Sequence, residues 1–250
     1  NVRTLNEDSV AVVCQNDCGG TDKGTLLILA DGLGGYNAGE VASGLVTTKV
    51  PELYFDGHGE DYLSDLTSAI TSCNEMVYEA SRLSEELRGM GSTLVTALVV
   101  NQFAVFANVG DSRGYIFRDG SVYHRTKDHS LKDATLDVPG FAGRSRFSHV
   151  LTRAVGPKPT VLIDVTTHRI AAGDIVVLCS DGLSDYVADD ELGEIVAKSG
   201  ETDATQILVN LAKERGGEDN ISVIVARVTE VCASENVNVP LRGLDKYLLV

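Results

Sequence analysis

Five acidic sites in this 250-residue chain stand at the ends of apolar runs. Three runs pass directly into an aspartate followed by a small residue: 25–30 into Asp31-Gly32, 103–110 into Asp111-Ser112, and 174–180 into Asp181-Gly182. Two further sites stand just ahead of such a run, Glu7-Asp8 before 9–14 and Asp219-Asn220 before 221–228. In an antiparallel sheet the end of one strand lies beside the start of the next, so all five sites can share one rim. One Asp-Gly pair alone reads as a turn. Five acidic strand ends together read as a carboxylate site for cations, and oxygen ligands without Cys or His suit Mg²⁺ or Mn²⁺ over zinc or copper.

Elements that could position these residues follow from periodicity. Strands are expected at 9–14 and 25–30, then a helix from Asn37 to Tyr54 with Asn37 as cap and Val41, Leu45, Val46, Val50 and Leu53 at helical spacing. A second helical pattern covers 61–87, with Leu63, Leu66, Ile70, Met76, Val77 and Leu83. From Ser92 to Tyr123 consecutive strands form a meander whose Asp119-Gly120 pair suits a tight hairpin. Strands near 161–170, 175–179 and 221–228 and helices at 189–198 and 203–215 complete the reading. Runs of strands separated by blocks of helices indicate α+β: a central β-sandwich of two antiparallel sheets, flanked by helices on both outer faces. One domain over 1–230 is expected, with 231–250 as a C-terminal extension, an added strand by its pattern.

Composition bounds the partners. A hydrophobic content of 43% with 23% charged residues can bury a substantial core. The 21 Lys+Arg against 36 Asp+Glu give a net charge of −15, which argues against nucleic acid and anionic membrane surfaces. A phosphorylated ligand therefore needs a local positive centre, which bound cations would supply. Five scattered cysteines suit a reduced, cytoplasmic protein with free thiols; the Cys14–Cys18 pair alone is a weak zinc signal. No run approaches a membrane span in length.

Several chemistries are excluded by absent motifs. Asp31-Gly32-Leu33-Gly34-Gly35 fails the dinucleotide spacing because Asn37 holds the third glycine position. The five histidines show no H-E-x-x-H, no G-x-S-x-G is present, and no phosphate-binding P-loop occurs. His129 and His149 read as structural or surface residues.

The ordered set Arg3-x-x-Asn6-Glu7-Asp8, Asp31-Gly32-Leu33-Gly34-Gly35, Met90-Gly91-Ser92-Thr93, 108–113 (NVGDSR), Asp128-His129-Ser130, 151–156 (LTRAVG), Ser180-Asp181-Gly182-Leu183 and Asp219-Asn220-Ile221-Ser222 resembles the bacterial-type PP2C (PPM) family of metal-dependent protein phosphatases. That resemblance implies hydrolysis of phosphoserine and phosphothreonine with two Mn²⁺ or Mg²⁺ ions, or three. It implies that Asp31 bridges the first two ions, that the Gly32 carbonyl joins one of them, and that Asp181 and Asp219 are ligands. Glu7 and Asp8 match residues that hold metal-bound water, Asp111 a ligand of a third, weaker ion, and Arg3 the arginine that binds substrate phosphate. Leu33 stands where eukaryotic members commonly carry a histidine proposed as general acid. The stretch 128–150 departs from the usual flap; Arg144 and Arg146 are expected there to meet acidic flanks of a phosphopeptide.

The expected mechanism is attack by a hydroxide bridging two cations, which share and acidify one water. Expected partners are phosphorylated proteins and a cognate Ser/Thr kinase, with a monomeric chain. Two rivals are a phosphatase-like module that binds without turnover, whose signature would be a lost metal carboxylate, and a phosphatase of small phosphorylated molecules.

Overall fold

The computed structural model describes Arg3 and residues 5–14, 23–34, 38–57, 61–131 and 150–231. Ten strands and five helices occur in the order β1 (Asp8–Cys14), β2 (Thr25–Leu33), α1 (Ala38–Asp56), α2 (Tyr62–Leu83), β3 (Gly91–Ser92), β4 (Leu94–Val100), β5 (Phe103–Val109), β6 (Arg113–Arg118), β7 (Ser121–Arg125), β8 (Asp164–Arg169), β9 (Ile175–Cys179), α3 (Asp181–Ser184), α4 (Asp189–Lys198), α5 (Glu201–Glu214) and β10 (Val223–Arg227). The first sheet runs β1-β2-β4-β5-β8, with β3 also on β2; the second runs β10-β9-β6-β7. Every named pairing is antiparallel.

Strand alternation divides the core into three apolar layers. On β2, Leu26, Ile28 and Ala30 join the layer under α1 and α2, while Leu27 and Leu29 point between the sheets. On β9, Ile175, Val177 and Cys179 face α3–α5, while Val176 and Leu178 meet the first sheet's inner residues. Helices thus cover both outer faces, as the strand and helix blocks predict.

Local differences have local causes. Small residues set the packed stripe of α1, which buries Ala38, Ala42, Val46, Val50 and Tyr54, so Val41 turns outward. On α2, Leu66, Ala69, Ile70, Cys73 and Val77 are buried and Met76 and Leu83 are exposed. Asp61 caps α2 by accepting from Leu63 N at 3.1 Å, and Ser84 then caps a separate 3-10 turn at Glu85–Leu87, so the pattern over 61–87 is two elements. The Asp119-Gly120 hairpin has φ of 52° and 77°, the left-handed values a two-residue type I′ turn requires. The expected cap Asn37 and the extension beyond Val231 lie outside the described residues. Cys73 and Cys179 are buried free thiols. Among the described residues no helix is long and apolar enough to cross a membrane.

Two imidazoles close the seam between β7 and β8, each at the end of its sheet. His124 stacks on His168 with ring centroids 3.7 Å apart, and its Nε2 lies 3.2 Å from Thr166 Oγ1. Burial, then His168, pushes His124 down to about 4; burial also lowers His168. Unfolded histidine titrates near ~6.5, so the stability held by the neutral rings is complete above that pH and is lost as pH falls toward the folded value. Between pH 7 and 5 the wild type should lose on the order of 1–2 kcal/mol more than His124→Phe, allowing for partial solvent exposure. Parallel urea-denaturation profiles for the two proteins would refute this linkage.

Candidate active site

Strand register assembles the acidic rim. Asp8 opens β1 and pairs with Asp31 on β2, and the close of β5 pairs with the opening of β4 through Val109 and Leu94. In the second sheet Cys179, at the close of β9, pairs with both Val223 and Arg113, the openings of β10 and β6. Asp31, Asp111, Asp181 and Asp219 thus come to one end of the sandwich. Asp31 and Gly32 lie inside β2, because β3 extends that strand by pairing Gly32 with Ser92.

Backbone and hydroxyl contacts hold the segments that bear Asp31 and Asp111. Thr93 Oγ1 accepts from Asp31 N at 2.9 Å, Thr93 N and Ser92 Oγ donate to Asp31 O at 2.8 and 2.9 Å, and Thr93 Oγ1 lies 2.7 Å from Ser112 Oγ. The Met90–Thr93 motif is therefore a clamp on the strand bearing Asp31. Gly110, ahead of Asp111, donates its N–H to His129 Nδ1 at 3.1 Å, and Arg113 holds Asp128 through Nε at 3.0 Å and Nη2 at 2.7 Å. His129 is buried and structural, as its sequence context suggests.

The two sheets are tied together at the rim. Ser180 Oγ donates to Asp8 Oδ2 at 2.9 Å and accepts from Ser222 N at 3.0 Å. Asn220 accepts from Glu7 N at 3.0 Å and donates to Leu5 O at 2.9 Å. Arg3 Nη2 bonds Asp219 Oδ2 at 2.9 Å. A Cβ on Gly32 would overlap Gly39 O, and one on Gly182 would overlap Asn220 O, so side chains at either position would force these segments apart.

The result is a cleft of about 720 Å³ lined by Arg3, Glu7, Asp31, Gly32, Asp181 and Asp219, with Asp185, Tyr186 and Glu218 beside them. Asp8 is half-buried beside Asp31, and Asp111 stands near enough for its charge to be felt at Asp31. Burial, reinforced by Asp8, Asp181, Asp219 and Asp111, pushes the Asp31 carboxyl up to about 10. Burial, with Asp181, Asp128 and Asp185, pushes Asp111 up to about 7. Glu7 and Asp8 are raised as well, burial being the main cause for both. Sequence reasoning missed Asp185, Tyr186, Glu218 and the bridging role of Asn220; only the four-residue step from Asp181 to Asp185 pointed to any of them. Arg144 and Arg146 lie outside the described residues, but Leu131 N donates to Val150 O at 2.9 Å, so the ends of that excursion meet.

Among the described residues no three acidic, His or Cys side chains stand ready-placed around one point. The chemistry of the site nevertheless fits divalent cations. Its donors are carboxylate oxygens that repel one another, and among the described residues the buried Asp8 Oδ1 has no hydrogen-bond partner and one arginine alone lines the cleft against the crowded charge.

The family model for protein phosphatase 2C matches residues 4–216. This chain belongs to that family. It is 35% identical over 236 residues to the serine/threonine protein phosphatase PstP of Mycobacterium tuberculosis, an alignment covering 92% of this chain and 43% of that protein. This chain thus spans less than half the length of that relative. It is 31% identical over 233 residues to the serine/threonine phosphatase stp of Listeria innocua, covering 90% of each. The crystal structure of the PstP catalytic domain in complex with two manganese ions superposes with a TM-score of 0.79 at 35% identity, covering 92% of this chain and 94% of that one. The helix-flanked double sheet is thereby the PP2C fold, as the sequence resemblance implies.

Proposed function

We propose that this chain hydrolyses phosphoserine and phosphothreonine in proteins with Mn²⁺ or Mg²⁺. The observation that carries the reading is the convergence of acidic residues from four separated segments, with one arginine, in a single rim cleft. Asp31, the Gly32 carbonyl, Asp181 and Asp219 would hold two ions, with Asp111 toward a third and Glu7 and Asp8 behind them. Held by these residues, such ions would supply an activated water as nucleophile and neutralise charge on the phosphoryl group. Arg3, now paired with Asp219, is placed to turn its guanidinium fork to two phosphate oxygens and orient the ester for in-line attack. The Asp8–Ser180–Ser222 and Asn220–Glu7 bonds keep the carboxylates from drifting apart under mutual repulsion. Leu33 carries no proton to give, so the proton taken up by the leaving serine or threonine alkoxide comes from a group other than residue 33.

The carboxylates Asp31, Asp181 and Asp219 all being present weighs against a non-catalytic binding module. Proteins as substrates, rather than small esters, rest on the relatives' names, and a Ser/Thr kinase is the class of enzyme that must supply such substrates. The test is release of phosphate from a phosphothreonine peptide and from small phosphate esters, with Mn²⁺, with Mg²⁺ and after chelation. We expect metal-dependent turnover with kcat/KM higher for the peptide by about tenfold or more, since contacts beyond the phosphate add binding energy at ~1.4 kcal/mol per decade. No turnover with either metal would overturn the reading; equal rates on peptide and esters would move it to small molecules.

A further inference from the structure

Among the described residues lining the cleft, Tyr186 is the sole aromatic, and the cation and phosphate roles proposed above do not use it. Its placement is built. Arg215 Nη1 donates to Tyr186 O at 2.8 Å, and Glu191 grips the same guanidinium at 2.6 and 2.7 Å. The ring packs partly on the apolar layer under α3–α5 and lies so close to Gly216 that a Cβ there would stand 2.7 Å from Cε1. Glu218, exposed, lines the same cleft immediately before Asp219.

An aromatic face with a carboxylate beside it has a defined preference. It attracts a guanidinium or ammonium through the ring quadrupole and the charge together, and it repels a carboxylate. We propose that Tyr186 and Glu218 form a subsite beside the phosphate position that takes a basic side chain flanking the phosphorylated serine or threonine. This inference rests on the phosphatase reading above and narrows it to a substrate class: phosphopeptides with arginine or lysine next to the phosphoresidue. The pinned backbone means the ring need not be ordered when substrate arrives, so its attraction is spent on discrimination. Among the described residues the rest of the cleft wall is Gly, Leu33, Arg3 and acidic or amide groups, which offer no second aromatic surface for such a side chain to lie against.

The test uses phosphothreonine peptides that differ only in carrying Arg, Ala or Glu at one of the two positions on either side of the phosphoresidue, assayed with Mn²⁺. The readout is the ratio of kcat/KM between Arg and Glu peptides, in wild type, Tyr186→Leu, Tyr186→Phe and Glu218→Gln. Leucine keeps the packing against the apolar layer while removing the π face. At one position the wild-type ratio should be about tenfold, the size expected of a partly exposed cation–π contact with charge support. It should fall to within about twofold of unity in Tyr186→Leu, hold in Tyr186→Phe, and drop part-way in Glu218→Gln. Wild-type hydrolysis of all peptides at similar rates would overturn the subsite, as would Tyr186→Leu slowing every peptide equally with the ratio kept, which marks a structural residue. Absence of any wild-type hydrolysis would instead overturn the phosphatase reading itself, and the subsite with it.

Discussion

Asp31→Asn is expected to lower phosphopeptide turnover by about 10³-fold or more while raising the thermal stability of the cation-free protein. The loss follows because a residue proposed to bridge two cations loses its charge, and several kcal/mol of transition-state stabilisation disappear at ~1.36 kcal/mol per decade. The gain in stability has a separate origin. Burial and the carboxylates of Asp8, Asp181, Asp219 and Asp111 raise the Asp31 carboxyl to about 10, far above its unfolded value. A group raised in this way stabilises the fold at low pH and withdraws that support as pH rises through the folded value. The cation-free wild type should therefore weaken steadily from pH 5 to pH 8, and Asp31→Asn should flatten the trend, since an amide carries no proton to lose. Melting curves in chelator at pH 5, 6.5 and 8 measure the second effect; a phosphatase assay measures the first. Near wild-type turnover in the variant would remove Asp31 from the cation site, and identical melting profiles would remove the repulsion account.

Manganese should raise the wild-type Tm by about 5–10 °C at a hundredfold excess over Kd, and chelation should abolish activity in parallel. Binding to the folded state alone contributes ~2.7 kcal/mol at that excess, and for a domain of this size each kcal/mol moves Tm by roughly 2–4 °C. Two or more ions would enlarge the shift. The expectation is strong here because the site is self-repelling without cations: the chain carries a net charge of −15, and among the described residues Arg3 is the sole basic residue lining the cleft. The same titration on Asp31→Asn should give a much smaller shift. An unchanged wild-type Tm with saturating Mn²⁺ and Mg²⁺ would contradict the proposed metal centre. A shift equal in wild type and variant would place the ions elsewhere on the acidic surface.

Much of this protein is written locally. Alternating and continuous apolar runs marked most of the strands within a few residues, because a strand lying between a helix layer and the inter-sheet layer is apolar for as long as that sandwiching lasts. The rim itself was legible, since antiparallel pairing obliges strand ends and starts to meet, and the register Asp8–Asp31 realises that rule directly. Acidic residue type at those ends specified the kind of ligand chemistry, because carboxylates cannot be buried together without a counter-charge. Only the tertiary structure decided the rest. Which small residues of α1 face the sheet depends on how closely the helix approaches β2, and Ala42 is buried where the more apolar Val41 is not. That Tyr186 and Glu218 share the cleft with Arg3 depends on the packing of α3 and α5 against one sheet and the docking of the N-terminal segment from the other. No periodicity encodes such a meeting, since it sums contacts between residues 172 and 216 positions apart, Asp8 with Ser180 and Arg3 with Asp219 among them. Spacing along a strand sets which face a side chain takes; the distance across a sandwich is set by what every other layer contributes to its thickness.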